Sequence, residues 1–422
     1  MSVSRRTLIG AAAAALVGEA CGRLPAVRGT APAPRSAPAT IRVLDDTLHL
    51  QGPALVAAWA RAHPGIALTI GPSYGGKGPD HSVNAPGMQR AGDVLAVSGD
   101  GGEMGGGSAW PDLTARVREQ NFDLASLVPS ALGAFNRHGP LRGLPLRAVP
   151  FGMAVHPSVA ALGVGPRPGQ PWTWQDLGQA VQRAAKAQPP PGGPLISGMQ
   201  WADVRIWGAL VLGLGGQLTD GGAVAIDAPS TVAATGQALD LALAARWPAG
   251  QSSGDPSPTV EGRAGAPLFF LGSLGGVDSF GALPGAVRFP VLPADPVVPL
   301  AEVDGLALSP LCAEPDAAVT FMLWLYEPAQ QRTLIGSGVP PMVPSPELQA
   351  AWTAASGRHP AQTAPYDVAH MVDILTLLPA VPGAASYFYN NLLVQWLVEA
   401  QADPGGLAQD LASAQREIEA HV

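Results

Sequence analysis

The sequence predicts an α/β protein, and three observations carry that reading. The chain has 422 residues, enough for two or three domains or for one two-lobed body with a sizeable core. Residues 40–70 alternate apolar and polar, pass through a helical run, and alternate again, which is the pattern of a β-α-β unit. Residues 141–187 read as a turn, an apolar strand, a Gly/Pro-rich linker and a helix that opens on its own capping residues. Hydrophobic content of 47% against 13% charge belongs to a folded chain. A net charge of −8 argues against nucleic acid as a partner, because that needs a concentrated basic face. The 52 glycines, 44 prolines and only two lysines, Lys77 and Lys186, read as the imprint of a GC-rich genome.

In order, the N-terminus is an address. Ser4-Arg5-Arg6-Thr7-Leu8-Ile9 matches the twin-arginine export pattern, and Leu8 to Val17 is a short apolar stretch. It falls short of the roughly 20 residues a helix needs to span a bilayer core, so residues 1–20 read as a signal peptide. Gly18-Glu19-Ala20-Cys21 leaves two exits open: ordinary cleavage after small residues, or lipidation of Cys21 as in a bacterial lipoprotein. Residues 21–39 are rich in Pro, Ala and Arg without periodicity, a flexible tether. The other cysteine is Cys312, so lipidation of Cys21 would leave no intrachain disulfide.

Ile41 and Val43 alternate as a strand, and Pro53 to His63 follows as a helix with Leu55, Val56 and Trp59 on one face. His63-Pro64-Gly65 breaks it, and Ile66, Leu68 and Ile70 make a second strand. Lys77 lies in Gly75-Gly76-Lys77-Gly78, which lacks the spacing of a phosphate loop. Gly92 to Val97 is another apolar strand, and the loop Ser98 to Glu103 leaves its carboxyl end, where ligands bind in open α/β sheets. Gly143-Leu144-Pro145 turns into a strand over Ala148 to Val155. Thr173 then caps a helix, with Asp176 reaching back and Leu177, Ala180, Val181, Ala184 and Ala185 on its apolar face; Pro189 to Gly193 ends it. Further helices are expected from Trp201 to Gly215, from Pro229 to Arg246 with Val232, Gly236, Leu239 and Leu243 spaced along one side, and from Glu314 to Glu327. Strands are expected at Leu268 to Leu271, Phe289 to Pro293 and Asp304 to Ser309, and two closing helices at Ser386 to Ala400 and Leu407 to Ala420.

This order resembles that of the family 1 extracellular solute-binding proteins, the maltose-binding-protein-like receptors, over residues 40–420. The motifs that carry the likeness are Gly143 and Pro145 in the turn, Thr173-Trp174-Gln175-Asp176-Leu177, Pro64-Gly65-Ile66, Asp93-Val94, Gly215-Gly216 and Gly336 to Pro340. Two places depart from the family pattern: Val155-His156 stands where Tyr-Asn is usual, and Ser273-Leu274 where a Trp often follows the strand. The resemblance implies a two-lobed periplasmic-binding-protein-like fold of type II, mixed sheets flanked by helices with a ligand cleft between lobes. It implies a first lobe of 40–149 plus 265–312 and a second of 150–264 plus 313–422, with crossings near 147–152, 260–267 and 309–318. It further implies a monomeric, lipid-anchored receptor outside the cytoplasm that binds a small molecule, a carbohydrate, and presents it to the permease of an ABC importer.

No nucleophile motif, metal-binding spacing or acidic calcium loop is present, so neither an enzyme nor a metal or cofactor is expected. A sugar cleft asks for rings, carboxylates and guanidinium groups. The residues that fit are the strand-end carboxylates Asp45, Asp46 and Asp100, with Arg147 in the strand after the turn. Trp201, Asp203, Arg205 and Trp207 crowd the start of a helix that faces the cleft in the family, and two of these four are expected at the ligand. Tyr387 and Asn390 match a position where the family places a ring over the ligand, while Trp324 and Trp352 are assigned to packing. A second function class stays open: an envelope lipoprotein that keeps the fold without a ligand, or a receptor for a solute other than sugar.

Overall fold

The computed structural model describes residues 39–420 outside the stretches 73–85, 99–109, 160–172, 188–193, 250–267, 274–286, 290–299, 357–371 and 374–383 and some single or paired positions. The elements in order begin β1 (Ala39–Leu44), α1 (Pro53–Ala62), β2 (Ile66–Gly71), α2 (Pro86–Ala91) and β3 (Val94–Ser98). Next come α3 (Thr114–Glu119), α4 (Pro129–Asn136), β4 (Gly143–Val155), α5 (Trp174–Ala187), β5 (Ile196–Gly198) and α6 (Val204–Gly213). The small hairpin β6 (Thr219–Asp220) and β7 (Ala223–Val224) precedes α7 (Pro229–Ala245), β8 (Phe269–Ser273), β9 (Val287–Phe289) and β10 (Leu300–Leu308). The chain closes with α8 (Pro315–Trp324), α9 (Pro328–Gly336), α10 (Pro346–Ser356), β11 (Val372–Asp373), α11 (Ala384–Ala402) and α12 (Leu407–Glu419).

The β-α-β unit forms as its periodicity predicts. β1 and β2 are parallel with Ile41 opposite Leu68, and Leu55 and Trp59 of α1 are buried. The Trp59 indole N–H donates to the Ile66 carbonyl at 3.0 Å, which ties the helix to the strand that follows it. The capping box on α5 is also as read. Thr173 N–H donates to the Asp176 carboxylate at 2.9 Å, and Asp176 N–H donates to the Thr173 hydroxyl at 3.1 Å. Leu177, Ala180, Val181 and Ala184 are buried beneath that start.

β4 organises the molecule. Its 13 residues serve two sheets in succession. Gly143 to Pro150 pair antiparallel with β10 in a sheet of order β2-β1-β3-β10-β4, with β11 on β10. Phe151 to Val155 pair instead with β8, and Met153 to Val155 with β9, in a sheet that continues to β5. The change falls between Pro150 and Phe151, inside the 147–152 window. Two hydrophobic cores follow the two sheets. One runs from Ile41 to Ala148 and from Ala301 to Ala355; the other from Met153 to Leu271 and from Leu393 to Ile418.

The other expected lobe limits are corrected by these cores. β8 pairs with the second half of β4, so residues 269–273 still belong to the second sheet, contrary to the expected first-lobe limit at 265, and the first sheet is joined again at β10. Nor does the chain leave near 309–318, because α8, α9 and α10 all bury side chains in the first core. The reason is aromatic packing: Phe321 and Trp324 of α8 set their rings 5.3 and 5.2 Å from that of Trp59, edge to face. Residues 315–356 thus pack on the first core, and of the described helices after them α11 and α12 pack in the second. On α7 Leu239 is buried and Val232 packs half-buried on the second core as expected, but Ala234, Thr235, Ala238, Leu241 and Ala242 turn inward too and Leu243 is 43% exposed. The apolar run is nearly continuous there, so spacing alone did not single out a face; the Trp207 indole N–H, donating to the Thr235 hydroxyl at 3.2 Å, belongs to the contact that does.

Candidate functional site

Strand direction locates the site. β1, β2 and β3 are parallel, and β10 runs against β3 with Asp304 opposite Ser98. β4 runs against β10, so it travels with β3, passes Asp304 at Arg147, and goes on into the second sheet. The carboxyl ends of the first-lobe strands therefore point toward the second lobe. In the second sheet β8 runs back along β4 and ends with Ser273 opposite Phe151, beside the change of partner. β5 is parallel to β8, so it too ends toward the junction. Carboxyl ends from both sheets face one another across Val149 to Phe151, the position where ligands bind in open α/β sheets.

On the first-lobe side, Arg147 and Asp304 form a cross-strand pair, Nη1 to Oδ2 3.8 Å, with side chains 19% and 8% exposed. A register shift between Asp304 and Gly305 marks a bulge next to the pair. Glycine is required at 305: a Cβ there would lie 2.2 Å from the Leu144 carbonyl oxygen. Tyr326, buried, donates its hydroxyl to the Pro145 carbonyl and so anchors β4 just before Arg147; burial holds this phenol well above its ordinary pKa.

On the second-lobe side, β5 ends at Gly198, whose φ is +97° and where an added Cβ would lie 2.0 Å from the Leu271 carbonyl oxygen, so no side chain fits. Six residues on, at Val204, the chain enters α6. Asp203 is the N-cap, accepting from Arg205 N–H at 3.0 Å. Its carboxylate also receives Arg205 Nε at 2.9 Å and Nη2 at 2.8 Å, a two-pronged ion pair. Both side chains are about a quarter exposed, 24% and 23%, so solutes can reach them.

The sequence-derived set divides. Arg147 lies in β4 just before its change of partner, and Asp203 and Arg205 lie at the start of α6, the helix that follows β5. Asp45 follows β1, but it is fully buried, and its two carboxylate oxygens accept from Leu48 N–H at 2.7 Å and Leu50 N–H at 2.5 Å. It braces the loop after β1. Trp201 and Trp207 are both fully buried in the second core. Trp201 donates its indole N–H to Gln401 Oε1 at 3.1 Å, and Gln401 Nε2 donates to the Trp247 carbonyl at 2.9 Å. Of the four residues around the start of α6, the charged two are at the surface and the rings are core. Tyr387 and Asn390 lie within α11. Asp46, Asp100 and Cys21 lie outside the described residues, as do Arg5 and Arg6. Asp304 and Gln401 were missed. Asp304 becomes visible only once register sets it opposite Arg147, and nothing near Gln401 in sequence signals its bridge across 200 positions to Trp201.

Elsewhere, a groove of about 570 Å³ lies between α5, α6 and α7, lined by Trp174, Gln179, Gly213, Gln237 and Asp240. It is at the end of α6 remote from Asp203. Cys312 is a free thiol, pushed up to about 11 chiefly by burial. Among the described residues no group of three or more His, Cys, Asp or Glu could hold a metal ion, and no helix is long and apolar enough to cross a membrane.

Against this geometry, the sequence model of a family described as bacterial extracellular solute-binding protein matches residues 50–332. No curated protein matches the chain. Solved structures do. The substrate-binding protein Lmo0181 from Listeria monocytogenes, in complex with cycloalternan, superposes with a TM-score of 0.68 at 15% identity, over 90% of this chain and 98% of that one. UgpB from Mycobacterium tuberculosis, in complex with glycerophosphocholine, gives 0.68 at 14% identity over 92% and 98%. Maltose-bound MalE3 of T. maritima gives 0.65 at 16% identity over 91% and 100%. At these identities the likeness is one of fold, and it extends over both lobes.

Proposed function

We propose a ligand and an address for this chain, which belongs to the bacterial extracellular solute-binding protein family. Members are receptors, not enzymes; they work outside the cytoplasm with ABC permeases, and the two-lobed fold is theirs. The ligand we assign is a neutral carbohydrate, a sugar or oligosaccharide, held between the opposed carboxyl ends of the two sheets. One observation carries the choice: the candidate arginines, Arg147 and Arg205, are each already paired with a carboxylate, Asp304 and Asp203. A paired guanidinium and carboxylate offer donors and acceptors side by side at no net charge. A sugar hydroxyl, which both donates and accepts, suits that surface better than an anion or a polyamine. The cycloalternan and maltose complexes of similar fold support the same class. A second reading, a phosphodiester ligand, is favoured by the likeness to the glycerophosphocholine complex.

A thermal-shift screen over mono- and oligosaccharides, with glycerophosphocholine included, separates the two. A ligand at 100 times its dissociation constant stabilises by about 2.7 kcal/mol, readily seen as a rise in Tm. A screen in which only glycerophosphocholine raises Tm sinks the carbohydrate assignment. Asp100, two positions beyond Ser98 in the sequence, we assign as a further hydrogen-bond acceptor for sugar hydroxyls. Hydrogen bonds to charged groups are worth about 1.5–3 kcal/mol, so Asp100→Ala is expected to weaken sugar binding by roughly ten- to 150-fold by calorimetry. An affinity within about twofold of the parent removes Asp100 from the site.

We assign export to the twin-arginine route through Arg5 and Arg6, with the mature monomer anchored by a lipid on Cys21. Replacing both arginines by lysine is expected to abolish export, measured by fractionation. Undiminished secretion would assign the protein to the general secretory route instead.

A further inference from the structure

We propose that Asp203 is a specificity-determining residue, whose carboxylate occupies Arg205 and the start of α6 and thereby keeps phosphate-bearing solutes from binding there. The inference rests on the reading that solute is bound at the junction. Two features at this point would otherwise attract an anion. The first turn of a helix presents unpaired N–H groups and the positive end of its dipole. A guanidinium presents a planar fork that matches two phosphate oxygens as well as it matches a carboxylate.

Asp203 answers both at once. It accepts the Arg205 backbone N–H at 3.0 Å as the N-cap, and it takes Nε and Nη2 of the same residue at 2.9 and 2.8 Å. The pair is two residues apart on one helix end, so it is held by local geometry and not by lobe position. Both side chains remain about a quarter exposed, 24% and 23%, so the charge that Asp203 supplies is felt by a solute at the surface. A phosphate approaching Arg205 meets a carboxylate already in the fork. A neutral polyol meets only hydrogen-bonding groups.

The test is Asp203→Asn, because asparagine caps a helix about as well as aspartate while carrying no charge. Inorganic phosphate and glycerophosphocholine are titrated into the parent, Asp203→Asn, and the double variant Asp203→Asn with Arg205→Gln, by calorimetry at fixed ionic strength. Asp203→Asn is expected to bind both phosphate probes at least tenfold more tightly than the parent, and the double variant to lose that gain. No gain in Asp203→Asn, or a gain that survives in the double variant, overturns the proposal; so does a parent that binds glycerophosphocholine at micromolar concentration. A parallel maltose titration keeps the readings apart. Absence of maltose binding in the parent counts against the carbohydrate assignment, while the phosphate comparison still decides the role of Asp203.

Discussion

Trp201→Ala is expected to destabilise the second lobe by about 3–5 kcal/mol, the usual cost of emptying a buried tryptophan site. The ring is fully buried among second-core side chains, so truncation leaves a cavity the surrounding helices cannot fill by small shifts. The loss also strands Gln401, whose Oε1 accepts the indole N–H and whose Nε2 holds the Trp247 carbonyl. Trp201→Phe keeps most of the volume and forfeits only the hydrogen bond, so it should fall well short of the alanine variant. Urea denaturation followed by far-UV circular dichroism measures both. A Trp201→Ala protein with an unchanged midpoint but no sugar binding would return this ring to the ligand and refute its place in the core.

Asp45→Ala is expected to cost about 3–6 kcal/mol, the loss of two hydrogen bonds to a charged acceptor worth about 1.5–3 kcal/mol each. The hydrogen bonds from the Leu48 and Leu50 N–H groups are buried, and both leucines pack into the first core. Asp45→Asn offers one acceptor oxygen in place of two and should recover part of the loss. The discriminating comparison is stability against affinity. A variant that unfolds at the parent's urea midpoint, yet binds sugar tenfold more weakly, would show the carboxylate serving the ligand after all.

Both residues mark how far the chain alone could be read. Local signals were faithful: the Thr173–Asp176 capping box, the helix over Pro53 to His63 and the strands at Ile41 and Ile66 need only neighbours in sequence, and each formed. The two-lobed α/β class was legible only through the resemblance of the order of motifs to the solute-binding family. Which lobe claims a helix was not legible. α8 carries apolar residues enough for either core, and only the rings of Phe321 and Trp324 meeting Trp59 assign it.

The candidate site divides in the same way. Sequence by itself determined which residues have the chemistry to hold a polar solute and that Asp203 and Arg205 lie at a helix start. It could not separate the carboxylate of Asp45, turned onto its own loop, from that of Asp203, left at the surface. Nor could it tell that Trp201 and Trp207 point inward, since on a short helix the buried arc is set by what packs against it. Asp304 acquired its place opposite Arg147 only from the register of β4 on β10, across 157 positions of chain (304 − 147). Identity and local spacing belong to the sequence; direction, burial and pairing between distant strands belong to the tertiary fold, because they are settled by which surfaces close on one another.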